Sequence, residues 1–208
     1  MVSPAEFIAL AERTELIRPL TEWMIAAALR FNAGPLKPGA AVPMAINLSA
    51  SNLQDASLID TIHDMRLAVG LAQGLLEIEL TESVLMEDVE HALHAKDITL
   101  YIDDFGTGYS SLSYLQKRPV DCIKIDQSFV ARMLRDNDSA VIVCSTINLA
   151  HDLGRKVVAE GVESQAQWDR LAAFGCDMAQ GYFISAPMPS EQFRTLAANW
   201  NERRKPVA

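Results

Sequence analysis

The sequence predicts an α/β fold of the (β/α)8 barrel type, and three observations carry that expectation. Helix-like and strand-like segments take turns along the chain, which implies a parallel sheet. Every strand-like run delivers polar groups at its C-terminal end: Asn47, Glu79 and Glu82, Asp103 and Asp104, Lys124 and Asp126, Glu160 and Glu163, and Gln180. In a closed barrel those ends share one face, where such proteins place their sites, whereas an open doubly wound sheet concentrates function at one switch point. Third, about six strands are legible where a closed barrel has eight, so the barrel is expected to be incomplete, with the deficit at its N-terminal side.

The elements follow in order. EFIALAERT and RPLTEWMIAAALRF carry apolar residues at helical spacing, the second opening after a proline. Past the turn-rich NAGPLKPG, the run AVPMAINLS reads as a strand and is followed by a helix from about Asp55 to Val69. LLEIEL is the next strand, then a helix from about Ser83 to Ala95, the strand ITLYI, a helical turn near Ser111 to Leu115, and the strand DCIKI. A long helix from about Ser139 to Leu153 leads to the strand RKVVA, a helix near Gln165 to Phe174, the short strand DMAQG and a last helix near Glu191 to Trp200. There is no internal repeat or linker, so one domain is expected over residues 1–200, with 201–208 as a C-terminal tail.

Composition narrows the function classes. With 208 residues, half of them hydrophobic, the chain can bury a sizeable core. No run approaches the roughly 18 apolar residues of a membrane span, and MVSPAEFIALAER lacks the pattern of a signal peptide. A cytoplasmic location, or the cytoplasmic portion of a larger signalling protein, is expected. The net charge of −9 argues against a DNA- or RNA-binding surface, so a phosphate ligand would need metal ions as counter-charge. Cys122, Cys144 and Cys176 form no CxxC pair and point to neither a disulfide framework nor a zinc site.

The stretch Tyr101 to Leu112, YIDDFGTGYSSL, sets two carboxylates side by side at a strand end, before a glycine- and hydroxyl-rich loop. Adjacent like charges are stable only if one takes a proton or a cation sits between them. Gly106 and Gly108 allow a tight turn after Phe105, and Thr107 offers a hydroxyl to hold it.

INLSA at Ile46 to Ala50, ELTES at Glu79 to Ser83, DDFGTGYSSLSYL at Asp103 to Leu115, KIDQSFV at Lys124 to Val130, AEGVES at Ala159 to Ser164 and QGYFISAPM at Gln180 to Met188 together resemble the EAL family of cyclic di-GMP phosphodiesterases. The motifs occur in family order over nearly the whole chain. The resemblance implies two divalent cations, Mg²⁺ or Mn²⁺: Asp103 bridging both, Asn47 and Glu79 on the first, Asp104 and Glu160 on the second. Such an oxygen-rich set suits those ions better than zinc. It further implies that Lys124 orients the attacking water or shuttles its proton, that Asp126 holds the lysine, that Glu82 anchors the loop of Phe105, Gly106, Thr107 and Gly108, and that Gln180 and Glu163 position substrate or support the metals. The implied product is linear 5′-phosphoguanylyl-guanosine. The implied assembly is a homodimer through the loop after Asp104, with sensory or GGDEF-type domains upstream.

Two departures accompany the resemblance. The Glu-Ala-Leu signature and a phosphate-binding arginine are expected upstream of Met1. The stretch between Ser83 and Asp103 is shorter than the family pattern and lacks its leucine-glycine turn. Two functions therefore stand open: a metal-dependent phosphodiesterase, or a non-catalytic module that binds cyclic di-GMP or a protein partner. Open sheet edges near Val42 to Ile46 and Met178 to Gln180 lead to the expectation that the 208-residue chain alone is poorly soluble, oligomeric or loosely packed, and that it hydrolyses cyclic di-GMP far more slowly than an extended version.

Simpler readings exist for single residues. Glu82, Asp126 and Glu163 also suit helix N-caps or first-turn carboxylates, and Asn47 suits a strand-ending turn. His63, His91, His94 and His151 have no matching metal partners, and QAQWDRLAAFG reads as packing.

Overall fold

The computed structural model describes residues 4–33, 42–82, 87–107, 115–116 and 118–200. Its elements in chain order are α1 (Pro4–Glu12), α2 (Ile17–Ala33), β1 (Met44–Asn47), α3 (Ala50–Leu53), α4 (Ala56–Ala68), β2 (Leu76–Thr81), α5 (Glu87–Ala95), β3 (Thr99–Phe105), β4 (Cys122–Ile125), α6 (Gln127–Arg132), α7 (Asn137–Asp152), β5 (Lys156–Ala159), α8 (Gln165–Ala173), β6 (Met178–Ala179) and α9 (Ser190–Ala198). The expected residues 83–86, the loop from Gly108 to Tyr114 and the tail 201–208 lie outside the described residues. No described helix is long and apolar enough to cross a membrane.

The chain divides within β2 into two compact units. The first holds the described residues up to Glu77 together with those from Pro187. Its α2 buries Thr21, Ile25, Ala28 and Leu29, a stripe at helical spacing that makes the segment amphipathic. The helix starts at Ile17 rather than after the proline, because Pro19 falls in the first turn, where its missing N–H is not needed. Asp55 caps α4 by accepting the Ser57 N–H at 2.9 Å and pairs with Arg18. Here β1 lies beside β2, the Met44 N–H donating to the Leu75 carbonyl at 3.2 Å.

In the second unit the sheet order is β2-β3-β4-β5-β6. The pairs β3/β4, β4/β5 and β5/β6 are parallel, with Ile123 opposite Ile102 and Val157, and Ala159 opposite Ile125 and Ala179. Neighbours that follow strictly in chain order are the barrel pattern; a doubly wound sheet would reverse direction at a switch point. The six strands in all, from β1 to β6, match the expected incomplete barrel. Ile78, Leu80, Leu100, Ile102, Ile123, Ile125 and Val157 are fully buried or nearly so, and α7, whose Ala140, Val143, Ile147 and Ala150 are buried, packs against β4 and β5. Both faces of these strands are covered, which is why they read as continuous apolar runs.

Four helices end in the same way. Gly70, Gly154 and Gly175 hold φ of 62°, 71° and 81°, and the next residue's N–H reaches back five positions: Leu71 to Arg66, Arg155 to Ala150, Cys176 to Leu171. At the end of α5 the left-handed residue is Asp97, φ 56°, with the Ile98 N–H on the Leu93 carbonyl at 3.1 Å. An aspartate, one of the few residue types that tolerate this conformation, thus ends this helix.

Candidate active site

The inward side chains of β3, β4 and β5 stack in two layers. Tyr101, Cys122 and Val158 form a buried cluster with Met178 of β6 against it. With side chains alternating at period two, the next residues on the same face are Asp103, Lys124, Glu160 and Gln180, so an apolar floor lies beneath a polar layer.

Lys124 is the centre of that layer. It is 3% exposed, and its Nζ stands 3.0 Å from Glu79 Oε2, 3.0 Å from Asp103 Oδ1 and 2.6 Å from Glu160 Oε1. An ammonium has three N–H donors, and each has a carboxylate. Burial works against the charge, but the hydrogen bonds and attraction of Glu160 and Glu79 outweigh it and hold the lysine's pKa above its ordinary value.

Asp103 and Asp104 reach one place because β3 is irregular there. Ile102 pairs with Ile123 and Phe105 with Ile125, so the two aspartates together oppose Lys124 alone. This is a β-bulge, and Asp104 takes the left-handed conformation at φ 55° that lets it occur. Regular pleating would send consecutive carboxylates to opposite faces. Ligand oxygens of Asp103, Asp104 and Glu160 all lie within 4.8 Å of one another. Burial, then the neighbouring Asp103 and Asp126, push the Asp104 carboxyl up from its ordinary value, with Lys124 opposing. Glu160 is raised as well, first by burial, although Lys124 pulls against it. Glu79, Asp103 and Glu160 share the Lys124 ammonium, with Asp104 beside them, a concentration of negative charge that divalent cations would neutralise. The all-oxygen donor set fits a hard divalent cation.

The other expected residues fall as follows. Glu82, at the end of β2, accepts the Gly106 N–H at 3.3 Å, and Thr107 closes the turn with its Oγ1 on the Asp104 carbonyl at 2.8 Å. Phe105 is buried. Gly108 lies outside the described residues. Asp126 caps α6, accepting the Ser128 N–H at 3.0 Å, whereas the carboxylates bonded to Lys124 are the three named above. The Glu163 backbone donates to Gln167 at 2.8 Å, and the cap of α8 is Ser164. Gln180, exposed after β6, is fixed through its backbone, N–H to the Ala159 carbonyl and carbonyl to the Val162 N–H. Asn47 is exposed at the C-terminal end of β1, in the first unit.

Against known proteins, the model of the EAL domain matches residues 1–187. The chain belongs to the EAL domain family. Similar proteins include the bifunctional diguanylate cyclase/cyclic di-GMP phosphodiesterase MucR of Pseudomonas aeruginosa, 39% identical over 205 residues, 95% of this chain and 30% of that protein. The structure of the MucR phosphodiesterase in complex with c-di-GMP superposes with a TM-score of 0.85 over 92% of this chain and 81% of that one. The manganese/cy-diGMP complex of Klebsiella pneumoniae BlrP1 gives 0.79 at 32% identity, over 90% of this chain and 49% of that one. This EAL domain spans between a quarter and about a third of the length of the first curated relatives it matches.

Sequence reasoning missed several residues that hold the EAL site in shape. A Cβ on Gly161, right after Glu160, would stand 2.6 Å from Gln127 Cβ, and one on Gly181, right after Gln180, 2.2 Å from the Val162 carbonyl oxygen. The signal was available: a glycine directly after a strand-ending polar residue. Gln167, read as packing, is buried, accepts the N–H groups of Glu163 and Ser164 and donates to the Val130 carbonyl at 3.3 Å.

Proposed function

We propose that this EAL domain is a metal-dependent phosphodiesterase that hydrolyses cyclic di-GMP to linear 5′-phosphoguanylyl-guanosine. The observation that carries the reading is the convergence of Asp103, Asp104 and Glu160 on one point beside buried Lys124. The complexes reported for MucR and BlrP1, both with this dinucleotide, support the substrate assignment.

In this reading Asp103, Asp104, Glu160 and Glu79, with Asn47, would hold two divalent cations, either Mg²⁺ or Mn²⁺. Bound there, the ions supply charge neutralisation at the phosphate and acidify water. Lys124 orients the attacking water and holds or passes its proton. Asp126 tunes that position through its charge and its cap on α6, while Gln180 and Glu163 orient the substrate. Glu82 fixes the turn that carries Asp104. The loop after Asp104 is the proposed homodimer contact, and additional signalling domains on the same polypeptide are proposed from the length of the relatives.

The test is nucleotide chromatography of cyclic di-GMP incubated with the protein and Mn²⁺ or Mg²⁺. The expected product is the linear dinucleotide. Tight binding without any cleavage would instead identify a binding module.

A further inference from the structure

The first turn of α6 touches both turns that carry candidate metal ligands. Phe129 lies against Gly106: a Cβ built there would meet the ring's Cε2 at 3.4 Å. Gly106 has φ 94° and sits two residues past Asp104, whose carbonyl accepts both the N–H and the hydroxyl of Thr107. On the same helix turn, Gln127 lies against Gly161, the residue following Glu160. The Val130 carbonyl, one residue after Phe129, receives the Gln167 amide that also gathers the Glu163 and Ser164 N–H groups. Asp126 locks the start of this turn by capping it, and Lys124 lies just upstream on β4.

We infer that the α6 turn from Gln127 to Val130 sets the spacing between the Asp103–Asp104 bulge and Glu160, and that Phe129 is a positioning residue for the metal centre. The inference rests on the metal-centre reading above. On the β2 side the Gly106 N–H donates to the Glu82 carboxylate at 3.3 Å. Gly106 has no side chain of its own to brace the turn, and the Phe129 ring stands as a wall within ordinary van der Waals reach of the place its Cβ would take. Removing the ring leaves the turn without that wall. The carboxylate of Asp104 then spends less time within reach of Asp103 and Glu160, although no ligand has been removed.

The experiment is a titration of the full chain with Mn²⁺, followed by electron paramagnetic resonance of the free ion, at a temperature where circular dichroism shows each variant folded. Groups that orient metal ligands typically contribute about 10- to 100-fold in affinity. Phe129→Ala should therefore weaken Mn²⁺ binding about tenfold or more, and Phe129→Met, which keeps an apolar chain of similar reach, should restore it. Gly161→Ala, pushing on the same helix turn from the Glu160 side, should weaken it in the same direction. In hydrolysis assays the Phe129→Ala loss should be recovered by excess Mn²⁺, with KM for cyclic di-GMP unchanged. A solely structural role would lower the melting temperature and leave the Mn²⁺ affinity of the folded protein alone. Should Phe129→Ala not fold, Phe129→Leu withdraws the ring edge while keeping an apolar side chain, and weaker binding is expected there too. Wild-type affinity in a folded Phe129 variant that lacks the ring edge, Ala or Leu, overturns the inference while leaving the metal centre standing. No Mn²⁺ binding by the wild type overturns both.

Discussion

Asp104 follows Asp103 in a left-handed conformation, φ 55°, and its N–H donates to the Asp103 carboxylate at 3.0 Å. The bulge that produces this contact puts both carboxylates opposite Lys124 and within reach of Glu160. Repulsion between neighbouring charges is thus built into the backbone, an arrangement that the proposed metal centre would relieve.

Lys124 tests the roles within that arrangement. It donates to three carboxylates but, as a cation, is no metal ligand. Lys124→Ala should lower turnover by about 10²- to 10⁴-fold, the range of a lost proton-handling group, while leaving cyclic di-GMP affinity in Ca²⁺ broadly intact by titration calorimetry. Loss of binding in parallel with turnover would assign the lysine to substrate capture instead.

Gly181 supports Gln180 through close packing. A Cβ there would collide with the Val162 backbone at 2.2–2.8 Å, and that backbone is already bonded to Gln180 and Phe183. Gly181→Ala should destabilise the domain and raise KM, because the 180–183 turn must move away. Unchanged KM and melting temperature would show that the turn adapts freely.

Much of the fold was legible because the strands are short apolar runs that end in polar residues, and because helix stripes such as Val143, Ile147 and Ala150 keep their spacing. The same chain-order pattern placed Asp103, Asp104, Lys124 and Glu160 at one end of their strands. The bulge was not legible, since ITLYIDDF carries no mark showing where pairing slips by one residue. Nor was the work of Gln167, whose sequence context is an ordinary amphipathic helix and whose role depends on Val130, far away in the chain. Asp126 suited both a cap and a lysine partner, and only geometry shows that it caps α6.

Asp97 marks a site where the sequence is not at its stability optimum. The left-handed conformation costs most non-glycine residues roughly 1–2 kcal/mol and an aspartate somewhat less, and part of the gain from glycine is offset by its greater freedom in the unfolded chain. Asp97→Gly should therefore stabilise the domain by about 0.5–1 kcal/mol, read as a higher midpoint in urea. An equal or lower midpoint would mean the aspartate makes a compensating contact.

Asp177 sets part of the acid stability. Burial raises its pKa, but the His151 hydrogen bond at 2.9 Å and the Val157 N–H at 2.9 Å outweigh that and hold it below the ordinary value. A depressed folded-state pKa contributes stability above the unfolded value, lost as pH falls through the folded one. Below about pH 4, the carboxyl's ordinary range, wild type should lose more stability than Asp177→Asn, as denaturation midpoints across pH would show. Parallel pH profiles would remove Asp177 from the account.

The most direct test of the metal centre is Mn²⁺-dependent hydrolysis of cyclic di-GMP by wild type and Asp103→Asn, with His94→Ala as an exposed control on α5. The account predicts that wild type and His94→Ala form the linear dinucleotide only with metal present, and that Asp103→Asn forms none and binds Mn²⁺ weakly. Near-normal turnover by Asp103→Asn, or turnover by wild type in excess chelator, would contradict it.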